Sequence, residues 1–172
     1  PDVADLPSEA LLLKALADAG VTGYRVVIGD NISANASERK QEIKCAVFTR
    51  FPVTRKQSHP TLNARAILEV QVEVDGAPLY LFANHWKSGA SDLVTEPARA
   101  ANARTLRTRL DEILRADPNA DIILGGDFNS QYNQRQRYPA MKTTGLNDVL
   151  RSQGNELAVR GPQRDLYNLW FE

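Results

Sequence analysis

Ile122-Ile123-Leu124-Gly125-Gly126-Asp127-Phe128-Asn129-Ser130 places a carboxylate and a carboxamide two residues apart, just after an apolar run that stops at two glycines. Alternate side chains share a face on extended backbone, so Asp127 and Asn129 point one way and Phe128 the other. An anionic oxygen beside an amide suits a hydrated divalent metal ion or a phosphoryl group. The same pair also suits an Asx turn that only closes a loop. On this motif alone both readings stand. Leu79-Tyr80-Leu81-Phe82-Ala83 is a second strand-like run, and it too ends in polar groups: Asn84, His85, Lys87 and Ser88. Two buried strands that both deliver such groups at their C-terminal ends point to one shared site, because that is where α/β sheets carry chemistry.

Asn84-His85-Trp86-Lys87-Ser88, followed further along by Gly126-Asp127-Phe128-Asn129, resembles the endonuclease/exonuclease/phosphatase superfamily of DNase I-like, metal-dependent phosphodiesterases. The Asn-His-Trp-Lys-Ser form is most similar to the bacterial extracellular-nuclease branch. The resemblance implies an α/β (α+β) fold, a four-layer α/β/β/α sandwich of two mostly antiparallel sheets with helices outside. It implies hydrolysis of DNA or RNA with Mg²⁺ or Mn²⁺, Ca²⁺ being a further option. Asp127 and Asn129 would orient the attacking water or the phosphate, His85 would hydrogen-bond the developing charge, and Asn84 would fix the strand end. Arg65, just ahead of a strand, is the candidate phosphate holder, and Lys87 and Ser88 are grouped with it as substrate-binding residues.

Glu9 and Asp127 are the metal ligands the resemblance implies. The family carries a Gln-Glu pair at a strand end near the opening, and Leu6-Pro7-Ser8-Glu9 departs from it. Glu9 is then either the displaced ligand or a first-turn Glu favoured by the helix dipole. A phosphatase acting on inositol phosphates or sphingolipid head groups shares the core motif. A non-catalytic nucleic-acid-binding module on the same scaffold is the alternative of a different class.

The 172 residues, 42% hydrophobic and 24% charged, suffice for one domain over 1–172 with a sizeable core. Basic and acidic residues balance at 21 each, so global charge is no argument for nucleic acid, although a local basic patch is enough for a nuclease. A single cysteine, Cys45, excludes an internal disulfide and a multi-cysteine zinc site, and its apolar setting reads as core. The opening Pro1-Asp2-Val3 has neither Met nor leader, and the chain closes on Leu169-Trp170-Phe171-Glu172. Both ends read as cut, so a partial domain is expected, from a secreted bacterial protein if the branch holds. No histidine follows His85, whereas family enzymes close on a Ser-Asp-His or similar strand end. Such a fragment is expected to be weakly active or inactive, lacking the roughly 10²- to 10⁴-fold that general acid–base catalysis contributes. It is also expected to expose a sheet edge or an uncovered core face.

The elements that must carry these residues follow from periodicity. Val3–Leu6 reads as a short strand, and Ser8–Ala19 as a helix capped by Ser8, stopped by Gly20, with Leu11, Leu12, Ala15 and Leu16 buried. Gly23–Ile28 and Ile43–Phe48 suit strands, joined by a polar connection over 31–41, with Glu42 a solvated hairpin charge and Pro52 turning the chain away. His59 falls in a loop and is expected to be exposed. The alternation from Leu68 to Val74 predicts a strand with one wet face, and Asp75-Gly76 a two-residue hairpin into Leu79–Ala83. Glu96–Arg115 predicts a helix with an apolar stripe of Ala98, Ala101, Thr105, Leu106, Leu110, Ile113 and Leu114. Arg99, Arg104, Arg107, Arg109 and Arg115 are expected on its solvated faces. Residues 131–138 read as a polar loop, and Gly145–Leu150 carries Asp148.

Overall fold

A computed structural model of the chain describes residues 7–34, 43–153 and 166–169. The expected strand Val3–Leu6, Glu42 and most of the polar connection lie outside them. In chain order the elements are α1 (Ser8–Asp18), β1 (Arg25–Ile28), β2 (Ala46–Thr49), β3 (Val53–His59), β4 (Ile67–Val74), β5 (Ala77–His85) and α2 (Glu96–Ala116). They continue with β6 (Asp121–Asp127), α3 (Gln134–Arg137), β7 (Ser152–Gln153) and β8 (Leu166–Tyr167), and a single π-helical turn at Gly145–Val149 precedes β7.

The β4–β5 hairpin is the centre of the molecule. Asp75 and Gly76 both take positive φ, 50° and 80°, which closes a two-residue turn whose twist matches the strands. The hairpin extends into a four-stranded sheet of order β3-β4-β5-β6, antiparallel except for the parallel β5–β6 pair. A parallel pair needs a crossover, and α2 supplies it.

The two faces of this sheet are covered differently. On one, Ile67 and Phe82 pack against Ala103, Leu106, Leu110 and Ile113 of α2, with Ile122 and Leu124 alongside. Each fully buried aliphatic or aromatic side chain here contributes about 1.5–3 kcal/mol. On the other, Leu68, Val70 and Val72 meet Val27 of β1 and Val47 of β2, a two-stranded antiparallel pair, and α1 lies against β1. The layers are therefore α2, the four-stranded sheet, β1–β2 and α1: the expected α/β/β/α arrangement. Cys45 packs with the second cluster, and burial pushes its thiol up, as a small core residue requires. Among the described residues no helix is long and apolar enough to cross a membrane.

β6 ends the sheet among the described residues. Ile122 and Leu124 turn toward α2, so Ile123 faces the other way, where it remains 55% exposed.

Several expectations are corrected. α1 ends as predicted, in a Schellman pair in which Val21 N–H donates to Leu16 O and Gly20 N–H to Ala17 O. Its N-cap, however, is Pro7 rather than Ser8, no side chain caps it, and none of its residues is buried. Leu11 and Leu12 are exposed because the described elements lay only β1 beneath this helix. The face of β4 read as wet is so only toward the hairpin, at half-buried Gln71 and exposed Glu73: Ile67 to Val70 are all buried, since α2 covers that side. His59 is the last residue of β3, not a loop residue. Its strand was illegible because Thr54-Arg55-Lys56-Gln57-Ser58 lacks alternation, and an edge strand needs none.

Glu69, on β4, explains where His59 goes. Its carboxylate is wholly buried and accepts from His59 Nε2 at 2.7 Å and from Arg109 Nε and Nη2 at 2.8 and 2.9 Å. Arg109 is thereby taken out of the solvated set. Arg99 is fully buried and Arg107, which bonds Asp111, nearly so. Arginine on an amphipathic helix goes inside when a carboxylate waits there, which a single helix's periodicity cannot show.

Candidate active site

Strand register creates the site. His85 and Asp127 are direct partners at the ends of β5 and β6, and Trp86 N–H continues the ladder to Asp127 O at 2.9 Å. Their side chains lie together, with His85 Nε2 3.7 Å from Asp127 Oδ2. That separation is electrostatic contact, not a hydrogen bond. Both groups are open, 37% and 59% exposed, so each can meet a ligand from solvent.

The Asx turn is also present, and the two readings of the motif prove compatible. Asp127 Oδ1 accepts from Asn129 N–H at 2.8 Å, which leaves Oδ2 for the site. Asn129 holds φ +47°, a left-handed conformation that Asn tolerates through such local bonding. Its Nδ2 donates to Trp86 O at 3.1 Å, tying the β6 loop to the end of β5. Asn129 Oδ1 takes no hydrogen bond among the described residues and remains as a hard oxygen donor at the site.

Asn84 differs. It is buried, its Nδ2 donates to Phe82 O and Gly125 O at 3.1 and 3.3 Å, and its Oδ1 accepts from Trp86 Nε1 at 3.1 Å. All of its amide is spent inside the fold, on spacing β5 from β6 and seating Trp86. Trp86, 2% exposed, meets Phe128 edge-to-face with centroids 4.9 Å apart.

Gly126 makes the close approach possible. Its φ is +119°, and a Cβ there would stand 2.1 Å from Asn84 O. Gly126→Ala is therefore expected to cost about 3 kcal/mol, the upper range for overpacking, with strain at a positive φ added. Thermal unfolding of the variant checks it, and an unchanged Tm would refute the contact.

Arg65 sits two residues before β4, at the same end of the sheet as His85, since Leu68 pairs with Ala83. Its Nε is buried and has no hydrogen-bond partner. A buried, unsatisfied guanidinium donor is costly unless an acceptor arrives, which fits an anion-binding role. Lys87 and Ser88 follow His85 in the loop leading to α2. Glu9 lies half-buried in the first turn of α1, and no group of three or more His, Cys, Asp or Glu side chains gathers to hold a metal among the described residues. A cleft of about 640 Å³ opens beside the site, bounded by the β6 edge, Asn129, Tyr132, Leu146 and Leu166.

The structure thus brings together His85, Asp127, Asn129 and Asn84 and places Arg65, Lys87 and Ser88 at the same end. Sequence reasoning passed over Trp86, Phe128 and Gly126 as parts of the site. Gly126 had a signal, a glycine pair directly before the carboxylate; Phe128 read as pointing away from the site.

A mixed four-layer sandwich with polar groups on adjacent strand tips defines the class. Residues 39–161 match the model of the Endonuclease/Exonuclease/phosphatase family, and the chain belongs to that family. No curated protein matches it significantly. Among solved structures it is similar to truncated Caenorhabditis elegans TDP2 (17% identity, TM-score 0.55, covering 78% of this chain and 50% of that one). It is also similar to the human nocturnin catalytic domain with bound sulfate (20%, TM-score 0.54, 84% and 54%) and to D. rerio TDP2 complexed with single-strand DNA product (21%, TM-score 0.50, 74% and 47%). The chain spans about half the length of these proteins.

Proposed function

We propose that the protein is a metal-dependent phosphodiesterase acting on nucleic acid, with His85, Asp127 and Asn129 at its centre. The observation that carries this reading is the pairing of His85 with Asp127 on neighbouring strand tips, both open to solvent, in a member of this family. The DNA product in the D. rerio TDP2 structure supports nucleic acid as the substrate class.

The donor set fits a largely hydrated Mg²⁺ or Mn²⁺ ion. Such an ion is held by one or two carboxylates plus water and substrate phosphate, without a protein cage. Asp127 Oδ2 and Asn129 Oδ1 supply the hard oxygens, and Glu9 is the second carboxylate of the proposal. A Glu9→Gln variant with an unaltered Mg²⁺ titration removes it from the set. When bound, the ion supplies positive charge to the phosphoryl oxygens.

The remaining work falls to the chain's own groups. Asp127 orients the attacking water or the phosphate, while Asn129 holds the geometry of that turn. His85 donates to a non-bridging oxygen as negative charge grows there. Arg65, Lys87 and Ser88 bind the flanking phosphates, and Asn84 acts only through the fold. His59, the one other histidine, is engaged by Glu69 and supplies no acid–base partner.

Nicking of supercoiled plasmid tests the proposal, because one break per molecule is scored and weak activity registers. Nicking is expected with Mg²⁺ or Mn²⁺, none with EDTA, and a fall of at least about 10²-fold in His85→Ala. Uncut plasmid with measurable DNA affinity would favour the binding module. Phosphate release from inositol phosphates or sphingolipid head groups without nicking would favour the phosphatase.

A further inference from the structure

In the loop 87–95, bonds of its own close the second half, Asp92 N–H to Gly89 O (2.9 Å), Val94 N–H to Asp92 Oδ1 (2.8 Å) and Thr95 Oγ1 to Gly89 O (3.0 Å), whereas the stretch that carries Lys87 and Ser88 is held from α2. Two fully buried polar residues of α2, one turn apart, hold it. Arg99 donates from Nη1 to Thr95 Oγ1 (2.9 Å), Lys87 O (3.3 Å) and Ser88 O (3.4 Å), and from Nη2 to Asp92 O (3.3 Å). Its Nε bonds Glu96 Oε2 at 2.8 Å, and Glu96 Oε1 accepts from Gly145 N–H at 2.6 Å, which anchors the guanidinium against the π-helical turn. Asn102, with its amide oriented to satisfy its neighbours, accepts from Lys87 N–H (3.3 Å) and donates to Leu62 O (3.0 Å) and Ala98 O (3.2 Å).

The peptide groups on both sides of Lys87 are therefore gripped, its N–H by Asn102 and its carbonyl by Arg99. Through Leu62 the same Asn102 reaches the loop that leads to Arg65, whose own carbonyl is held by Thr61 Oγ1 at 2.8 Å. On the loop's far side, buried Gln134 of α3 donates to Ala90 O.

We infer that Arg99 and Asn102 are positioning residues that set the distance between the two cationic arms, Lys87 and Arg65, at which the site takes consecutive phosphates of a nucleic acid strand. This rests on the phosphodiesterase reading above. A phosphodiester backbone presents its charges at a repeating distance, so two cations on independently moving loops would lose binding that a shared scaffold retains. Misplacing a binding group by about 1 Å can cost as much as 10²-fold in rate.

A double-mutant cycle in the nicking assay, joined to amide hydrogen exchange on the same proteins, tests this. Asn102→Ala is expected to lower kcat/KM about 3- to 30-fold, chiefly by raising KM, as residues coupled through shared contacts do. Adding it to Lys87→Ala is expected to cost little beyond Lys87→Ala alone. Exchange in segments 60–65 and 86–95 is expected to quicken, with β4 and β5 unaltered. Arg99→Lys is expected to act likewise on 86–95; if it fails to fold because Glu96 is left poorly paired, Asn102→Ala carries the test. Fully multiplicative effects, or unaltered exchange in both loops, would overturn the inference. If wild type leaves plasmid uncut with every metal, the phosphodiesterase reading falls, and exchange by itself then decides the scaffold: loops equally labile in wild type and variant would end it.

Discussion

Asp127→Asn and Asp127→Ala are expected to bring plasmid nicking down to the EDTA background, a loss of at least about 10²- to 10³-fold, while differing in stability. The reason lies in the two oxygens. Oδ1 closes the turn onto Asn129 N–H, and Oδ2 faces His85. Asparagine keeps a carbonyl acceptor for the turn, and with it the positive φ of Asn129 and the bond from Asn129 Nδ2 to Trp86 O. It lacks the charge to orient water or metal. Alanine loses both, and the open turn is expected to cost about 1 kcal/mol, the usual net value of one hydrogen bond. Nicking rates and urea midpoints of the three proteins separate the roles. Asp127→Asn with wild-type nicking would reduce Asp127 to a turn former and remove the centre of the proposed site.

The largest effect on stability is expected at Glu69. Glu69→Ala is expected to cost about 3–5 kcal/mol, because Arg109 and His59, 16% and 12% exposed, would lose the carboxylate that compensates their burial. The same contact carries a pH dependence. Burial alone would raise the Glu69 pKa, but hydrogen bonds from His59 and Arg109 outweigh it and hold the group at about 2, against an ordinary 4.5. A carboxyl depressed in the folded state binds its proton more readily when unfolded. Its stabilisation is therefore complete above pH 4.5 and is lost as pH falls from 4.5 through 2. The amount at stake is about 3 kcal/mol. Urea midpoints of wild type and Glu69→Gln between pH 7 and pH 2.5 isolate this group from other carboxylates. Parallel curves would show that Glu69 contributes none of the acid sensitivity.

Interactions between neighbours in sequence were legible without coordinates. Asp75-Gly76 specifies its hairpin because two residues with positive φ can be read from their types, and the apolar alternation on either side sets which residues pair. The Schellman end of α1 and the extent of α2 are local in the same sense. The nomination of His85, Asp127 and Asn129 rested on strand ends, which is also where local periodicity stops and polar residues begin.

What the chain's order could not show is which surfaces cover which. Glu69 read as a wet-face residue because alternation shows that a face is polar, not that a helix lies over it carrying Arg109. Arg99 read as a solvent-side position of α2, because its partners at Lys87 and Ser88 come from another loop. Burial of a charge is settled by a partner distant in sequence, since only that partner offsets desolvation. By itself the sequence determined the hairpin, the two long helices and the polar strand ends, whereas the short α3 fell within residues 131–138, read as a polar loop. Tertiary structure alone decided the 3.7 Å between His85 and Asp127 and the inward use of Asn84, because each depends on the register and layering of whole elements.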